Sequence, residues 1–413
     1  MAGRSVIEYI SKGPRYPNWT LGMQLAVDTL TASFVYMRPG NRLTFTEETF
    51  DRAKLHEAIQ VLRNMPVDVS HSLGKFRSVD WETHANKKRD VLTKDIFYEE
   101  EFIPIADRIE KELTESRKLF AEVAVHDDVM AKLVTSGASE EEIFDLSPLS
   151  KKEVILVHYH GGSYCHLCPG AYRRAMFDMS KATGYRVFVP DYRLAPDHPF
   201  PAGVLDGAEF YFYLLDRGFE AKNIIIMGDS AGGNLVLVLL EIFKRANCDQ
   251  PRGCIPFSPW SDLNPSADSY QRNKKYDFLT MGSLDNVLCG SRLYLAPGEP
   301  LGEKITNLLK NPLVSPVYGS FDGCAPIYMQ SGEVELLVDE IDEMSKVLNA
   351  KERFIAGPKH GGFTDAQKRA KNIYEKYSGM VHIFFIIQDA AETYAAIEGV
   401  GNFARKLESE HQN

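Results

Sequence analysis

The chain has 413 residues, of which 44% are hydrophobic, 25% charged and 11% aromatic, and these ordinary globular proportions exclude disorder, collagen and low complexity. Against 47 basic residues stand 57 acidic ones, a net charge of −10, so nucleic acid is not an expected partner. Six cysteines are too few for a disulfide scaffold, and no apolar run approaches the ~18 residues of a membrane span. The opening MAGRSVIEYISKGPRYPNWT lacks the apolar stretch of a secretory signal, so a cytoplasmic location is expected.

Residues 1–90 read as N-terminal cap helices. Trp19–Tyr36 brings Leu21, Leu25, Ala26, Leu30, Phe34 and Val35 near one face, and Thr46–Met65 carries Phe50, Leu55, Ile59 and Leu62. Residues 108–121 are charge-rich with helical spacing, and 136–150 are polar and loop-like. The pattern changes at 152. Short apolar runs follow at Val154–Tyr159, Tyr185–Pro190, Asn223–Gly228, Cys254–Ser258, Ala325–Gln330 and Ile373–Tyr377. Helical segments separate them at Ala171–Thr183, Val204–Leu215, Ala231–Ala246 and Glu340–Ala350. This alternation predicts an α/β fold, a mostly parallel sheet covered by helices on both faces. Ligands of such sheets bind at the carboxyl ends of the strands. Ala390–Leu407 reads as a packing helix.

Gly228-Asp229-Ser230-Ala231-Gly232-Gly233-Asn234 is a G-x-S-x-G between a strand and a helix. A sharp turn there lifts the Ser230 hydroxyl above the sheet and aims the N–H of Ala231 at a reacting carbonyl oxygen. His160-Gly161-Gly162-Ser163 directly follows another strand, and its glycines let the N–H groups of Gly161 and Gly162 face the same oxyanion. His160 reads as a structural support of that loop. A serine hydroxyl needs a base, and the base needs an orienting acid. His382 follows the run Ile373–Tyr377 as a base should, whereas His360 sits in a mobile-looking loop and His411 in a polar tail. Glu333, Glu335, Asp339 and Glu340 all follow the run Ala325–Gln330 and compete for the acid, with Glu335 preferred.

Together these motifs resemble the hormone-sensitive-lipase-like branch of the α/β-hydrolases. The resemblance rests on His160–Ser163, on Tyr192-Arg193-Leu194-Ala195-Pro196-Asp197-His198-Pro199-Phe200-Pro201-Ala202, and on Gly228–Asn234. Ser258–Leu263 and Tyr276–Leu279 look like fungal esterase members of that branch. The resemblance implies a Ser230–His382–Glu335 triad, with Glu where Asp is commoner, an oxyanion hole of Gly161, Gly162 and Ala231, and support from Asp229. It makes Asp191 and Arg193 a structural ion pair. It implies a serine carboxylic ester hydrolase without metal or cofactor, acting on a small-molecule ester of a hydrophobic alcohol. An amidase with the same triad and a non-catalytic binding protein are the competing classes. The organisation expected is a cap at 1–90, core at 91–263, a cap insertion at 264–320, and core at 321–413 with an insertion at 353–369. A homodimer and peripheral contact with an internal membrane are compatible with this reading. Cys165-His166-Leu167-Cys168 has no second cysteine pair and reads as a structural loop.

Overall fold

The computed structural model describes residues 2–37, 43–63, 73–83, 96–97, 99–114, 116–280 and 282–410. The rest of the cap reading at 1–90, Met65 and His411 lie outside the described residues. A nine-stranded sheet in the order β1-β2-β4-β3-β5-β6-β7-β9-β8 forms the centre. Its strands are β1 (Gly74–Glu82), β2 (Lys118–His126), β3 (Ile155–Tyr159), β4 (Arg186–Pro190), β5 (Ile224–Asp229), β6 (Gly253–Phe257), β7 (Tyr328–Gly332), β8 (Lys351–Ile355) and β9 (Ile373–Tyr377). The β1–β2 and β2–β4 pairs are antiparallel and the other pairs are parallel.

The longer helices are α1 (Ala2–Lys12), α2 (Leu21–Met37), α3 (Arg52–Arg63), α4 (Ala106–Thr114), α5 (Asp127–Thr135), α6 (Arg173–Thr183), α7 (Ala202–Asp216), α8 (Ala231–Arg245), α9 (Val338–Val347) and α10 (Ala391–Glu410). Two apolar layers sandwich the sheet. Along β5, Ile224 and Ile226 join the layer containing Phe210 of α7 and Leu237 of α8. Ile225 and Met227 join the opposite layer with Met176 of α6 and Phe403 of α10. The period of two is why these strands read as continuous apolar runs: both faces are covered. Each fully buried aliphatic side chain contributes about 1.5–3 kcal/mol. Among the described residues no helix is long and apolar enough to cross a membrane.

Three expectations change. Residues 74–82, read as part of the helical cap, form strand β1, which pairs along its whole length with β2. Its apolar residues are too sparse for a helical stripe, and Trp81 packs against Phe210 across the sheet edge. The helical reading of 108–121 stops at Thr114, and Lys118 starts β2, whose Val123, Ala124 and Val125 are all buried. The insertion at 353–369 begins inside β8, an edge strand, and continues to a short helix, Asp365–Arg369. It is part of the sheet's edge, and its His360 is buried.

Arg186 fixes the segment 136–150, read as a loop, which holds one capped helical turn at Glu140–Ile143. Its side chain is fully buried; Nε and Nη2 reach Glu153 at 2.7 and 2.8 Å, and Nη1 reaches the carbonyls of Ile143 and Asp145 at 2.9 and 2.7 Å. Removing one partner of a buried ion pair costs about 3–5 kcal/mol, because the other charge stays unpaired. Arg186→Leu should therefore lower the unfolding free energy by about that amount in a denaturant titration; a loss below about 1 kcal/mol would contradict it.

Candidate active site

The turn from β5 into α8 holds Ser230 at φ 53 and ψ −117, a strained conformation for a residue with a side chain. Its N–H donates to the Phe257 carbonyl at 2.9 Å, and its carbonyl accepts from Trp260 N–H at 3.0 Å. Gly232 is obligatory, because a Cβ there would strike the Tyr159 and His160 carbonyls. Ala231 opens α8, so its N–H belongs to the first turn, which has no intrahelical acceptor.

The loop after β3 departs from expectation at one residue. Gly161 N–H donates to Asp229 Oδ1 at 3.1 Å and to the Tyr172 hydroxyl at 3.2 Å. It is spent on holding the loop and is not free for an oxyanion. No hydrogen bond among the described residues uses the N–H groups of Gly162 or Ser163. Gly162 (φ 109) and Ser163 (φ 55) both turn in the left-handed region. The free donors therefore lie one residue later than predicted.

His160 supports this loop, as its position suggests. Its Nδ1 lies 2.8 Å from the Gly161 carbonyl, and its ring stacks on Tyr192 at 4.5 Å. Tyr192 OH donates to the His160 carbonyl at 2.6 Å. Burial pulls the imidazole down to about 4, so it is neutral at pH 7 and no proton shuttle. Asp229 also accepts from Tyr172 OH at 2.8 Å, and His158 Nε2 lies 3.2 Å from it. His158 belongs to the same motif, but its contact with Asp229 has no signal in the sequence.

The expected Asp191–Arg193 pair is absent. Arg193 instead makes ion pairs with Asp206 at 2.8 Å and Glu112 at 2.6 Å. Residues two apart share a side of an extended segment only where it is straight, and here the chain turns off β4 at Asp191. Burial, reinforced by Glu122, pushes the Asp191 carboxyl up to about 7.

The four competing carboxylates separate cleanly. Glu335, fully buried, faces His382 Nδ1 through Oε1 at 3.2 Å. Its Oε2 accepts from Gly332 N–H at 2.6 Å and Ser258 Oγ at 2.7 Å. Asp339 pairs with Arg272 near the surface. Glu340 accepts from Tyr270 OH at 2.6 Å, and Glu333 accepts from Tyr16 OH at 2.9 Å. His360 lies elsewhere, 2.8 Å from Glu375 and 2.9 Å from Asn402 of α10.

Two further residues, to which the motifs assign no role, order the pair. Ser258 (φ 42), at the end of β6, donates to Glu335 and accepts from Ile383 N–H at 3.1 Å. Asp277 accepts from Leu336 N–H at 2.7 Å and His382 N–H at 3.3 Å, and so links the loop of Glu335 to the loop of His382. Burial raises the Asp277 carboxyl to about 6. Their positions in Ser258–Leu263 and Tyr276–Leu279 were the available signal. Burial of His382 favours the neutral ring, but the hydrogen bond and charge of Glu335, helped by Asp277 and Asp229, outweigh it and raise the imidazole above its usual 6.5.

Residues 156–355 match the family described as alpha/beta hydrolase fold. The chain has the α/β-hydrolase fold. An esterase of Acinetobacter venetianus is 34% identical over 186 residues, 45% of this chain and 58% of the relative. An acetyl-hydrolase of Streptomyces hygroscopicus is 32% identical over 185 residues, again 45% of this chain and 58% of the relative. The matches thus span little more than half of these relatives, both bacterial. A solved esterase of the bacterial hormone-sensitive lipase family shares the fold of this chain, with a TM-score of 0.57 at 22% identity over 92% of this chain and 97% of that one.

The paired imidazole makes a direct prediction. A histidine NMR titration, assigned with His382→Asn, should give His382 a pKa above 6.5. In Glu335→Gln it should fall below the wild-type value, because the favourable charge is gone while the burial remains. An unchanged value in that variant would contradict the pairing.

Proposed function

We propose that this α/β-hydrolase is a serine carboxylic ester hydrolase with Ser230 as nucleophile, His382 as general base and acid, and Glu335 as orienting acid. The observation that carries the reading is the buried Glu335–His382 contact of 3.2 Å beyond the ends of β7 and β9, together with a strained serine beyond the end of β5. Ser230 Oγ attacks the ester carbonyl carbon and its proton passes to His382. The resulting imidazolium is stabilised by the Glu335 carboxylate across Nδ1. The oxyanion takes hydrogen bonds from the N–H groups of Gly162, Ser163 and Ala231. When the C–O bond breaks, His382 returns the proton to the departing alcohol. Water, deprotonated by His382, then attacks the acyl-enzyme; the second tetrahedral intermediate collapses to the carboxylic acid and free Ser230.

The substrate proposed is a short-to-medium acyl or acetyl ester of a hydrophobic alcohol. The names of the bacterial relatives, esterase and acetyl-hydrolase, support the ester and its small acyl group. Apolar walls support the alcohol: the Phe278 ring lies 6.2 Å from the His382 ring, and Phe34 of α2 packs on Phe278 at 5.3 Å. We assign α1 to α3 and the segment 264–320 to the cap over this site.

The test is hydrolysis of p-nitrophenyl acetate through decanoate. Ser230→Ala should remove turnover by roughly 10⁴-fold or more, with acetate to butyrate the best substrates. No Ser230-dependent turnover of any ester would overturn the reading, and turnover of anilides alone would make the protein an amidase. His382→Gln should be as damaging as Ser230→Ala, whereas His360→Gln should keep the chemistry in whatever fraction stays folded; the reverse result would move the base to His360.

The base must be neutral to accept the serine proton. Its pKa is raised, so kcat/KM should fall as pH drops through a midpoint above 6.5. A profile flat down to pH 5 would contradict this.

A further inference from the structure

The chain between α1 and α2 runs across the two loops that carry Glu335 and His382. Trp19 is buried, and its Nε1–H donates to the Gly379 carbonyl at 2.6 Å. Tyr16 OH donates to Glu333 Oε2 at 2.9 Å, and the same oxygen accepts from Gly379 N–H at 2.8 Å. Asn18 Nδ2 donates to the Ser378 carbonyl at 2.9 Å and to Glu392 at 3.0 Å. The rings of Tyr16 and Trp19 meet Tyr276 edge-on at 5.5 and 6.5 Å.

Three of the contact points stand close in the chain to residues that order the site. Gly379 is three residues before His382, Glu333 two before Glu335, and Tyr276 adjoins Asp277, which binds both loops. The contact has no slack: Gly379 sits at φ 66, and a Cβ there would collide with Asn18 and Tyr16. The segment is anchored in turn to the cap helices. Arg15 makes an ion pair with Asp28 of α2 at 2.6 Å, and Ser5 of α1 donates to the same carboxylate at 2.5 Å.

We propose that Tyr16–Trp19 is a clasp whose side chains are positioning residues for the acid and the base, so that seating of the N-terminal helices sets the geometry of the Glu335–His382 pair. Ser258 and Asp277 grip the two loops from within; the clasp closes them from outside. The separation of 3.2 Å is already longer than the ~2.8 Å of a strong charge-assisted bond. A further small displacement of either loop therefore weakens the bond that orients the imidazole and raises its pKa. Tyr16 and Trp19 act through Gly379, Glu333 and Tyr276.

The variants are Trp19→Phe, which keeps an apolar ring and deletes the N–H, Tyr16→Phe, and their double. Active protein is counted by stoichiometric fluorophosphonate labelling of Ser230, and thermal unfolding is followed in parallel. The double variant should lose roughly 10-fold in kcat per labelled serine, the scale of a small misplacement of catalytic groups, with KM changed less than about 2-fold. The NMR pKa of His382 should fall, since the neighbouring charges of Glu335, Asp277 and Asp229 hold it up. A wild-type kcat per labelled serine together with an unchanged His382 pKa would overturn the clasp. So would an activity loss that matches only the unfolded fraction.

The kinetic arm rests on the ester-hydrolase reading, but the NMR arm does not. If the wild type turns over no ester, that reading falls, and the clasp then stands or falls on whether the His382 pKa moves.

Discussion

The arrangement depends on one buried carboxylate. Glu335 is fully enclosed and its charge is held by the Gly332 N–H, the Ser258 hydroxyl and the His382 ring. An ionised carboxylate cannot leave water without such partners. Those partners come from the ends of β6 and β7 and the loop after β9, so strands well separated in sequence must lie side by side before the charge can be accommodated. The sheet order supplies this, with β7 between β6 and β9.

The chain holds a second buried histidine–glutamate pair, His360–Glu375, at 2.8 Å. Its chemistry resembles that of His382–Glu335, but its setting differs. Glu375 lies within β9 and is surrounded by Tyr328, Tyr377 and Gln367, while both ring nitrogens of His360 are engaged by Glu375 and Asn402. These bonds hold Glu375 below the usual carboxylate range despite its burial. Such a saturated network fastens the β8 edge to α10. His382 instead lies beyond the strand end, where an α/β sheet exposes its chemistry.

The loop after β3 shows the same division of labour. Asp229 precedes Ser230 and takes the Gly161 N–H, the Tyr172 hydroxyl and a contact with His158. One glycine amide is used to lock the loop against the end of β5, which leaves the next two amides unpaired among the described residues. Preorganised donors need no rearrangement when charge develops.

The sequence by itself determined the class of fold, the six inner and late parallel strands and the serine elbow, because each is local: an apolar run with both faces covered, or a glycine-framed turn. Position relative to strand ends pointed to His382 over His360, and the structure sets the two rings in different places, His382 on Glu335 and His360 on Glu375. Edge strand β1 was not legible, because one exposed face leaves too few apolar residues to set a period. The choice among Glu333, Glu335, Asp339 and Glu340, the diversion of the Gly161 amide to Asp229, the rerouting of Arg193 to Asp206 and Glu112, and the roles of Ser258 and Asp277 belong to the tertiary structure alone. Each is a hydrogen bond or ion pair between segments remote in the chain, and its partner is fixed by which strands the sheet makes neighbours and by which polar groups burial leaves no water to satisfy.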